Sequence, residues 1–169
     1  IDLNSLSPAE KNNLAQRALS LMPLLRQMPL HVKSEGYSFL FKGFQKLLKD
    51  HYSYTEVANW WNFDNFIDKD FKKDALPNGR EIMSLAEQAY ICYAKHLLPK
   101  HTQEGVLFDS YNARQFIEQL DRIIESHREY TYTEFFKANL LLALGERDNM
   151  LSALLPFAKR KKNDFWVWD

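Results

Sequence analysis

The sequence contains one cysteine, few glycines and no long apolar run. The single cysteine, Cys92, excludes an internal disulfide framework and a zinc site built from cysteines, and we expect it to be a buried structural thiol. Apolar runs span only a few residues, whereas a membrane-spanning helix needs roughly 20, so we predict no membrane association. Glycines number only five, and β-branched residues, which favour strands, are few, so the composition favours helices.

Charge of one sign is not in excess either. Lysine plus arginine and aspartate plus glutamate each number 22, so the formal net charge is zero, which argues against attraction of the whole chain to nucleic acid or to anionic membranes. A hydrophobic content of 46% indicates a folded core rather than disorder. Because the sequence lacks a secretion signal, a glycosylation motif and an initiator methionine, we interpret it as a cytoplasmic segment of a larger protein.

Apolar residues recur at spacings of three and four over most of the chain, which is the pattern of amphipathic helices. Ser7-Pro8-Ala9-Glu10 has the residue types of a helix start with a capping box. Gly145 follows an apolar stripe at the place where a helix ends in a left-handed residue. Further helix caps are predicted at Ser53, Asp109, Thr133, Asp148 and Asp164. We predict the longest helix over residues 80–98 and an irregular connection over residues 62–79.

These patterns predict an all-α protein of about seven helices. Helix pairs that recur every 30 to 45 residues are typical of an α-solenoid, in which each pair leaves an apolar face that its neighbour covers. We therefore expect antiparallel helix pairs stacked as an irregular α-solenoid, in one helical-repeat domain over residues 1–169.

Residues 135–158, FFKANLLLALGERDNMLSALLPFA, resemble a tetratricopeptide-repeat helix pair. Gly145 matches the glycine of the turn, and Ala138 matches the small residue that lets the two helices approach. Met150 and Phe157 depart from the pattern, because the repeat usually has alanine at both positions. The larger side chains are expected to separate or rotate the helices, so that the superhelix is irregular.

A broader resemblance covers most of the chain. The strings SEGYSFLFKGF, NWWNFDNF, NGREIMSLAEQAYICYAK and LLPFAKRKKNDFWVW are similar to segments of an uncharacterised bacterial family with tetratricopeptide repeats. The resemblance implies a helical-repeat region preceded by more repeats. In some members it implies a following cold-shock-like β-barrel, of a type that binds single-stranded nucleic acid. It implies no established activity.

Motifs for metal binding and catalysis are missing from the sequence. The five histidines include no pair at the helical i, i+4 spacing of a zinc site. The aspartates between residues 64 and 74 lack the glycine and glutamate of a calcium loop, and no glycine-rich phosphate loop or GxSxG motif is present. We predict no catalytic residue, cofactor or metal, and an enzyme would need a site assembled from scattered residues.

Two groups of residues are candidates for partner contacts. Aromatic residues often anchor interfaces, so Trp60, Trp61, Tyr90 and Tyr93 are candidates for a peptide groove, although burial in the core explains most aromatics equally well. The basic run comprises Lys159, Arg160, Lys161 and Lys162. It either complements the negative end of a helix or makes a weak contact with nucleic acid, to which aromatic stacking would add.

The aromatic residues after the basic run are interpreted as the start of another helix. Phe165, Trp166 and Trp168 follow the predicted cap at Asp164, and their expected partner is the face of Leu151 and Leu155. Our leading hypothesis is a non-enzymatic helical-repeat scaffold that mediates protein–protein interaction within a larger bacterial protein. The alternative is a nucleic-acid-associated module that uses residues 159–162 beside a separate nucleic-acid-binding domain.

Overall fold

The structure of the protein is a computed structural model that describes residues 5–79 and 81–162. The described chain is all-α, with seven helices of at least eight residues, one single-turn helix and two small hairpins. The helices are α1 (Pro8–Leu19), α2 (Met22–Leu25), α3 (Glu35–Leu48), α4 (Tyr54–Trp61), α5 (Leu85–Leu97), α6 (Ser110–Ser126), α7 (Thr131–Ala143) and α8 (Arg147–Arg160). The strands are β1 (Asp74–Ala75), β2 (Glu81–Ile82), β3 (Lys100–Thr102) and β4 (Gly105–Leu107).

The fold class predicted from the sequence is therefore confirmed. The chain divides within α5, between Ala89 and Tyr90, into two compact units, which we call the first and second unit. The single domain over residues 1–169 stays a prediction.

Side-chain caps begin α1, α3 and α6. The Ser7 hydroxyl accepts a hydrogen bond from the Glu10 amide (3.3 Å), and the Glu10 carboxylate accepts one from the Ser7 amide (2.8 Å), which confirms the capping box. Asp109 accepts from the Asn112 amide at 3.0 Å, as predicted. The Ser34 hydroxyl accepts a hydrogen bond from the Tyr37 amide at 3.2 Å, and this cap was not predicted from the sequence.

Ser53 is the N-cap residue of α4, as predicted, but its side chain forms no capping hydrogen bond. Two other predicted caps are wrong. Thr133 lies inside α7, which begins two residues earlier at Thr131, and its buried hydroxyl donates to the Tyr130 carbonyl at 3.0 Å. Asp148 is likewise inside α8, which begins after Glu146. Asp164 lies outside the described residues.

The two hairpins correct the prediction around residues 62–107. The helix predicted from residue 80 begins at Leu85, because residues 81–82 pair with residues 74–75 in an antiparallel ladder. The longest helix of the described chain is instead α6, with 17 residues. Gly105, at φ 131°, allows the turn between β3 and β4. The connection predicted over residues 62–79 contains two 3₁₀ turns, at Phe63–Asn65 and Asp68–Phe71, and strand β1.

An aromatic cluster forms the core of the first unit. Trp61 is 0% exposed, and its ring centroid lies 4.4 Å from that of Phe41, 4.7 Å from that of Phe66 and 5.3 Å from that of Tyr37. The Trp61 indole N–H donates to the Tyr37 carbonyl at 3.2 Å, and the Tyr37 hydroxyl donates to the Trp61 carbonyl at 3.4 Å. Burial raises the pKa of the Tyr37 hydroxyl. These contacts join α3 to α4.

A buried polar network ties the first turns of α5 to the same core. The Tyr54 hydroxyl donates to the side-chain oxygen of Gln45 and lies 3.3 Å from the carbonyl oxygen of Ala89. The Gln45 amide in turn donates to the Gln88 carbonyl at 3.4 Å. Buried polar groups need such partners, so this network fixes the approach of α5 to α3 and α4 within the first unit.

Helices α6, α7 and α8 pack as an antiparallel series in the second unit. The Lys137 ammonium on α7 donates to Asp121 on α6, and the Arg114 guanidinium near the start of α6 pairs with Glu146 just after α7. Gly145, at φ 81°, makes the left-handed turn between α7 and α8, as predicted from the sequence. The helix pairs are thus present in this unit, while a continuous solenoid stays a prediction.

The turn before α8 has a carboxylate with a shifted pKa. The Asn149 amide (2.9 Å) and the Arg114 guanidinium both donate to the Glu146 carboxylate, and these hydrogen bonds lower its pKa from the ordinary 4.5. A lowered pKa in the folded state contributes stability above the pKa of the unfolded chain, and this stability is lost as the pH falls through the folded value.

We therefore expect the double variant Asn149→Ala/Arg114→Gln to return the pKa of Glu146 toward 4.5. It should also flatten the dependence of stability on pH just below that value. A carboxyl titration followed by NMR measures the pKa directly, and Arg147→Gln on the same turn serves as the control. An unchanged pKa of Glu146 in the double variant would contradict the assignment.

Candidate functional site

The tryptophans of the predicted partner groove belong to the aromatic core of the first unit. Trp61 lies at the centre of that cluster. Trp60 is half-buried, and its ring centroid lies 6.2 Å from that of Tyr37 and 6.4 Å from that of Phe44. The contacts of both rings favour the core interpretation that the sequence left open.

The tyrosines of the predicted groove pack in the second unit. The ring of Tyr90 stacks on Phe116 at 5.9 Å between centroids, and the ring of Tyr93 lies 4.5 Å from the same phenylalanine. Tyr90 is buried and Tyr93 is half-buried. Cys92 between them is also buried, as predicted. These tyrosines therefore attach α6 to α5.

The basic run lies at the end of α8, where Lys159 and Arg160 form part of the last turn. The Arg160 guanidinium donates to the Glu134 carboxylate on α7, and the Lys161 ammonium lies 5.4 Å from the centroid of the Tyr132 ring. Two of the four basic side chains thus hold α8 against α7. The predicted helix at Phe165, Trp166 and Trp168 lies outside the described residues, and its expected partners Leu151 and Leu155 are 54% and 56% exposed.

We expect the Arg160→Gln substitution to reduce the stability of the second unit by about 1–2 kcal/mol, because the buried Glu134 carboxylate loses its charged donor while Arg160 itself is partly exposed. Lys159→Gln, on the exposed side of the same turn, should change stability by less than about 0.5 kcal/mol. Urea denaturation followed by circular dichroism measures both variants. Equal losses for the two variants would refute the role assigned to Arg160.

A cleft in the first unit was missed by the sequence reading. It has a volume of about 750 Å³ and lies between α3, the segment 67–72, the β1–β2 hairpin and the start of α5. We call it the lysine cleft. Its lining residues are Glu35, Gly36, Ser38, Phe39, Lys42, Gln45, Lys46, Lys49, Ile67, Lys69, Asp70, Lys72, Asp74, Ile82, Met83, Leu85 and Gln88.

Positive charge exceeds negative charge in the lysine cleft, since five lysines and three carboxylates line it. Lys69 pairs with Glu35 at 3.3 Å, and Lys42 lies 4.0 Å from Asp74. All four of these side chains are well exposed, so each pair contributes little stability.

The third carboxylate of the lysine cleft, that of Asp70, serves the fold. It is buried and accepts hydrogen bonds from the Ser38 hydroxyl (2.6 Å) and the Ile67 amide (3.0 Å). Because Asp70 is held in this way, the exposed charged groups of the cleft are five lysines and the two carboxylates of Glu35 and Asp74.

Exposed apolar side chains lie among these lysines. Phe39 is 79% exposed, although it belongs to a 14-residue helix whose other face is buried. Ile82 and Met83, which also line the cleft, are exposed as well. The cleft therefore combines ammonium groups with an apolar surface that water still covers.

The sequence of α3 contains a signal for the lysine cleft. The buried stripe of α3 is Tyr37, Phe41, Phe44 and Leu48, whereas the cleft face of the same helix is Phe39, Lys42, Lys46 and Lys49. Both sets follow the helical spacing of three and four. Phe39 is the aromatic residue that falls on the basic set, and this mismatch is readable from the sequence alone.

Metal ligands do not converge in the described part of the chain. Within residues 5–79 and 81–162, no group of three or more histidine, cysteine, aspartate or glutamate side chains is placed to hold a metal ion. None of the helices described here is long and apolar enough to cross a membrane.

The fold and the lysine cleft together define an all-α protein with a basic, partly apolar groove on its first unit. The C-terminal part of the chain is similar to the family described as Domain of unknown function (DUF7017), which matches residues 131–169. This match covers α7, α8 and the residues after them, which is less than half of the chain. No curated protein and no solved structure matches the sequence.

Proposed function

We propose that the protein is a non-enzymatic helical-repeat scaffold of the tetratricopeptide type, which binds a protein partner as part of a larger bacterial protein. The observation that carries the proposal is the exposed ring of Phe39, held in the lysine cleft by a regular helix. Aromatic rings contribute most to binding when a partner covers them. A rigid helix also presents such a ring at little entropic cost on binding.

The helix pairs of the second unit support the same proposal. Stacked helix pairs expose extended surfaces, which repeat proteins use to bind partners. Leu151 and Leu155 lie one turn apart on α8 and are both more than half exposed. They form a second apolar surface, in addition to the lysine cleft.

The nucleic-acid alternative has less support from the contacts of the basic run. Arg160 and Lys161 already contact α7, so fewer than four cations of residues 159–162 face outward. We expect the fourfold change of these residues to glutamine to leave RNA affinity and its salt dependence unchanged. A loss of RNA affinity, accompanied by a shallower salt dependence, would instead support the alternative.

Photocrosslinking in cells tests the proposed function. A photoreactive phenylalanine analogue replaces Phe39 in the lysine cleft, Leu155 on α8, or, as a control, the exposed Glu104 in the β3–β4 turn. We expect a discrete protein adduct, identified by mass spectrometry, from position 39 or 155 and none from position 104. The absence of an adduct at both test positions, in variants that fold normally, would refute the proposed function.

A further inference from the structure

The lysine cleft combines cations and apolar side chains in a way that specifies the chemistry of its partner. We propose that it binds an acidic, amphipathic helical segment of a partner protein, which covers Phe39 with an apolar side chain. This inference rests on the proposed function and adds the class of partner and the place where it binds.

Exposed apolar side chains from separate elements line the lysine cleft. Phe39 projects from α3, Ile82 belongs to β2, and Met83 follows it directly. Branched aliphatic and methionine side chains pack well against leucine or phenylalanine, and methionine adapts to their shape. An apolar side chain of the partner, placed in the cleft against Phe39, Ile82 and Met83, would remove these three residues from water.

The charges of the lysine cleft select an acidic partner. Lys42 and Lys69 have exposed partners within the cleft, whereas Lys46 and Lys72 form no ion pair with another described residue. The cleft retains a net positive charge with Asp70 included, because it has five lysines and three carboxylates. The formal net charge of the whole protein is zero, so the positive charge of the cleft is a local feature. Such complementarity favours carboxylates on the partner.

The spacing of the lysines on α3 favours a helical partner. Lys42, Lys46 and Lys49 follow intervals of four and three residues, so they form a row about 10 Å long on one helix face. A second helix with carboxylates at intervals of three and four residues presents a row of the same length. Its neighbouring apolar stripe would then lie toward Phe39, as in other helix-in-groove complexes.

Single-stranded nucleic acid fits the lysine cleft less well. Proteins that bind it without sequence preference stack successive bases on several aromatic rings, and Phe39 is the aromatic residue in this lining. The other exposed apolar residues of the lining, Ile82 and Met83, are not aromatic and provide no further ring for stacking. Nucleic acid is therefore the competing outcome in the experiment.

Fluorescence anisotropy with the full chain tests the inference. The probe is a fluorescein-labelled peptide of about 15 residues designed as an amphipathic helix. Glutamates at intervals of three and four residues form one face, and leucines with one central phenylalanine form the other. Three comparison probes are a peptide with lysine for each glutamate, a peptide with serine for each apolar residue, and an oligouridylate of about 12 nucleotides. We expect binding of the acidic amphipathic peptide alone, with an affinity that weakens as salt increases.

Variants locate the binding at the lysine cleft. Phe39→Ser and the double variant Lys46→Glu/Lys72→Glu should each weaken binding roughly tenfold. Tyr111→Ser removes a similarly exposed ring from the second unit, Lys100→Glu reverses the charge of an exposed lysine there, and we expect no effect from either. Circular dichroism confirms that each variant folds.

Three results would overturn the inference. The first is failure of the acidic peptide to bind, and the second is binding that the cleft variants leave unchanged. The third is tighter binding of the oligouridylate that competes with the peptide, which would assign the lysine cleft to nucleic acid. If the crosslinking experiment still gives an adduct at position 155 but none at position 39, the proposed function survives and the cleft assignment fails.

Discussion

Replacing Trp61 by alanine is expected to lower the free energy of unfolding of the first unit by about 3–5 kcal/mol, the usual cost of truncating a large buried aromatic side chain. Trp61 is 0% exposed and touches rings from α3 and from the segment after α4. The substitution leaves a cavity among rigid rings, and it also deprives the Tyr37 carbonyl of the indole donor. Both effects act on the contact between α3 and α4.

Native-state hydrogen exchange of the α3 amides measures this loss in the first unit by itself. The matched control is Trp60→Ala, which removes the same side chain from the preceding, half-buried position and should cost distinctly less. Trp61→Phe should recover part of the loss, since it refills much of the cavity without restoring the indole hydrogen bond. Equal losses at positions 60 and 61 would show that Trp61 is not the centre of the core.

Replacing Phe157 by alanine is expected to destabilise the second unit by a similar amount, about 3–5 kcal/mol. Phe157 is 1% exposed and packs against Phe135 (5.2 Å between centroids) and Tyr132 (6.0 Å) on α7. Tetratricopeptide repeats resembling residues 135–158 usually have alanine at this position. The resemblance alone would therefore predict that alanine is tolerated, whereas the packing predicts a large loss.

Urea denaturation of the full chain, followed by circular dichroism, decides between these expectations. Leu155→Ala is the control, because it shortens a side chain on the same helix that is more than half exposed and should change stability by no more than about 0.5 kcal/mol. A neutral Phe157→Ala variant would mean that α7 and α8 approach each other as a regular repeat pair. A large loss of stability would mean that α7 and α8 lie farther apart than in a regular repeat pair and that the Phe157 ring fills the space between them.

Local patterns in the sequence determined the helices and several of their ends. The helical spacing of apolar residues predicted the all-α class, the Ser7–Glu10 capping box and the Asp109 cap predicted two starts, and Gly145 predicted the turn between α7 and α8. Each of these features depends on residues within about one helical turn, so they can be read without knowledge of distant contacts.

Tertiary structure alone decided the start of α5 and the roles of the candidate site residues. The apolar spacing of the sequence extends the helix back over residues 81–82, but these residues pair with β1. Trp61 belongs to the core because α3 covers it. Arg160 has a structural role because it donates to Glu134, which is 26 positions away in sequence but lies on the neighbouring helix α7. Phe39 and Lys72 line one cleft because the chain folds back over α3. Side chains far apart in sequence meet through packing, and their spacing along the chain does not encode that meeting.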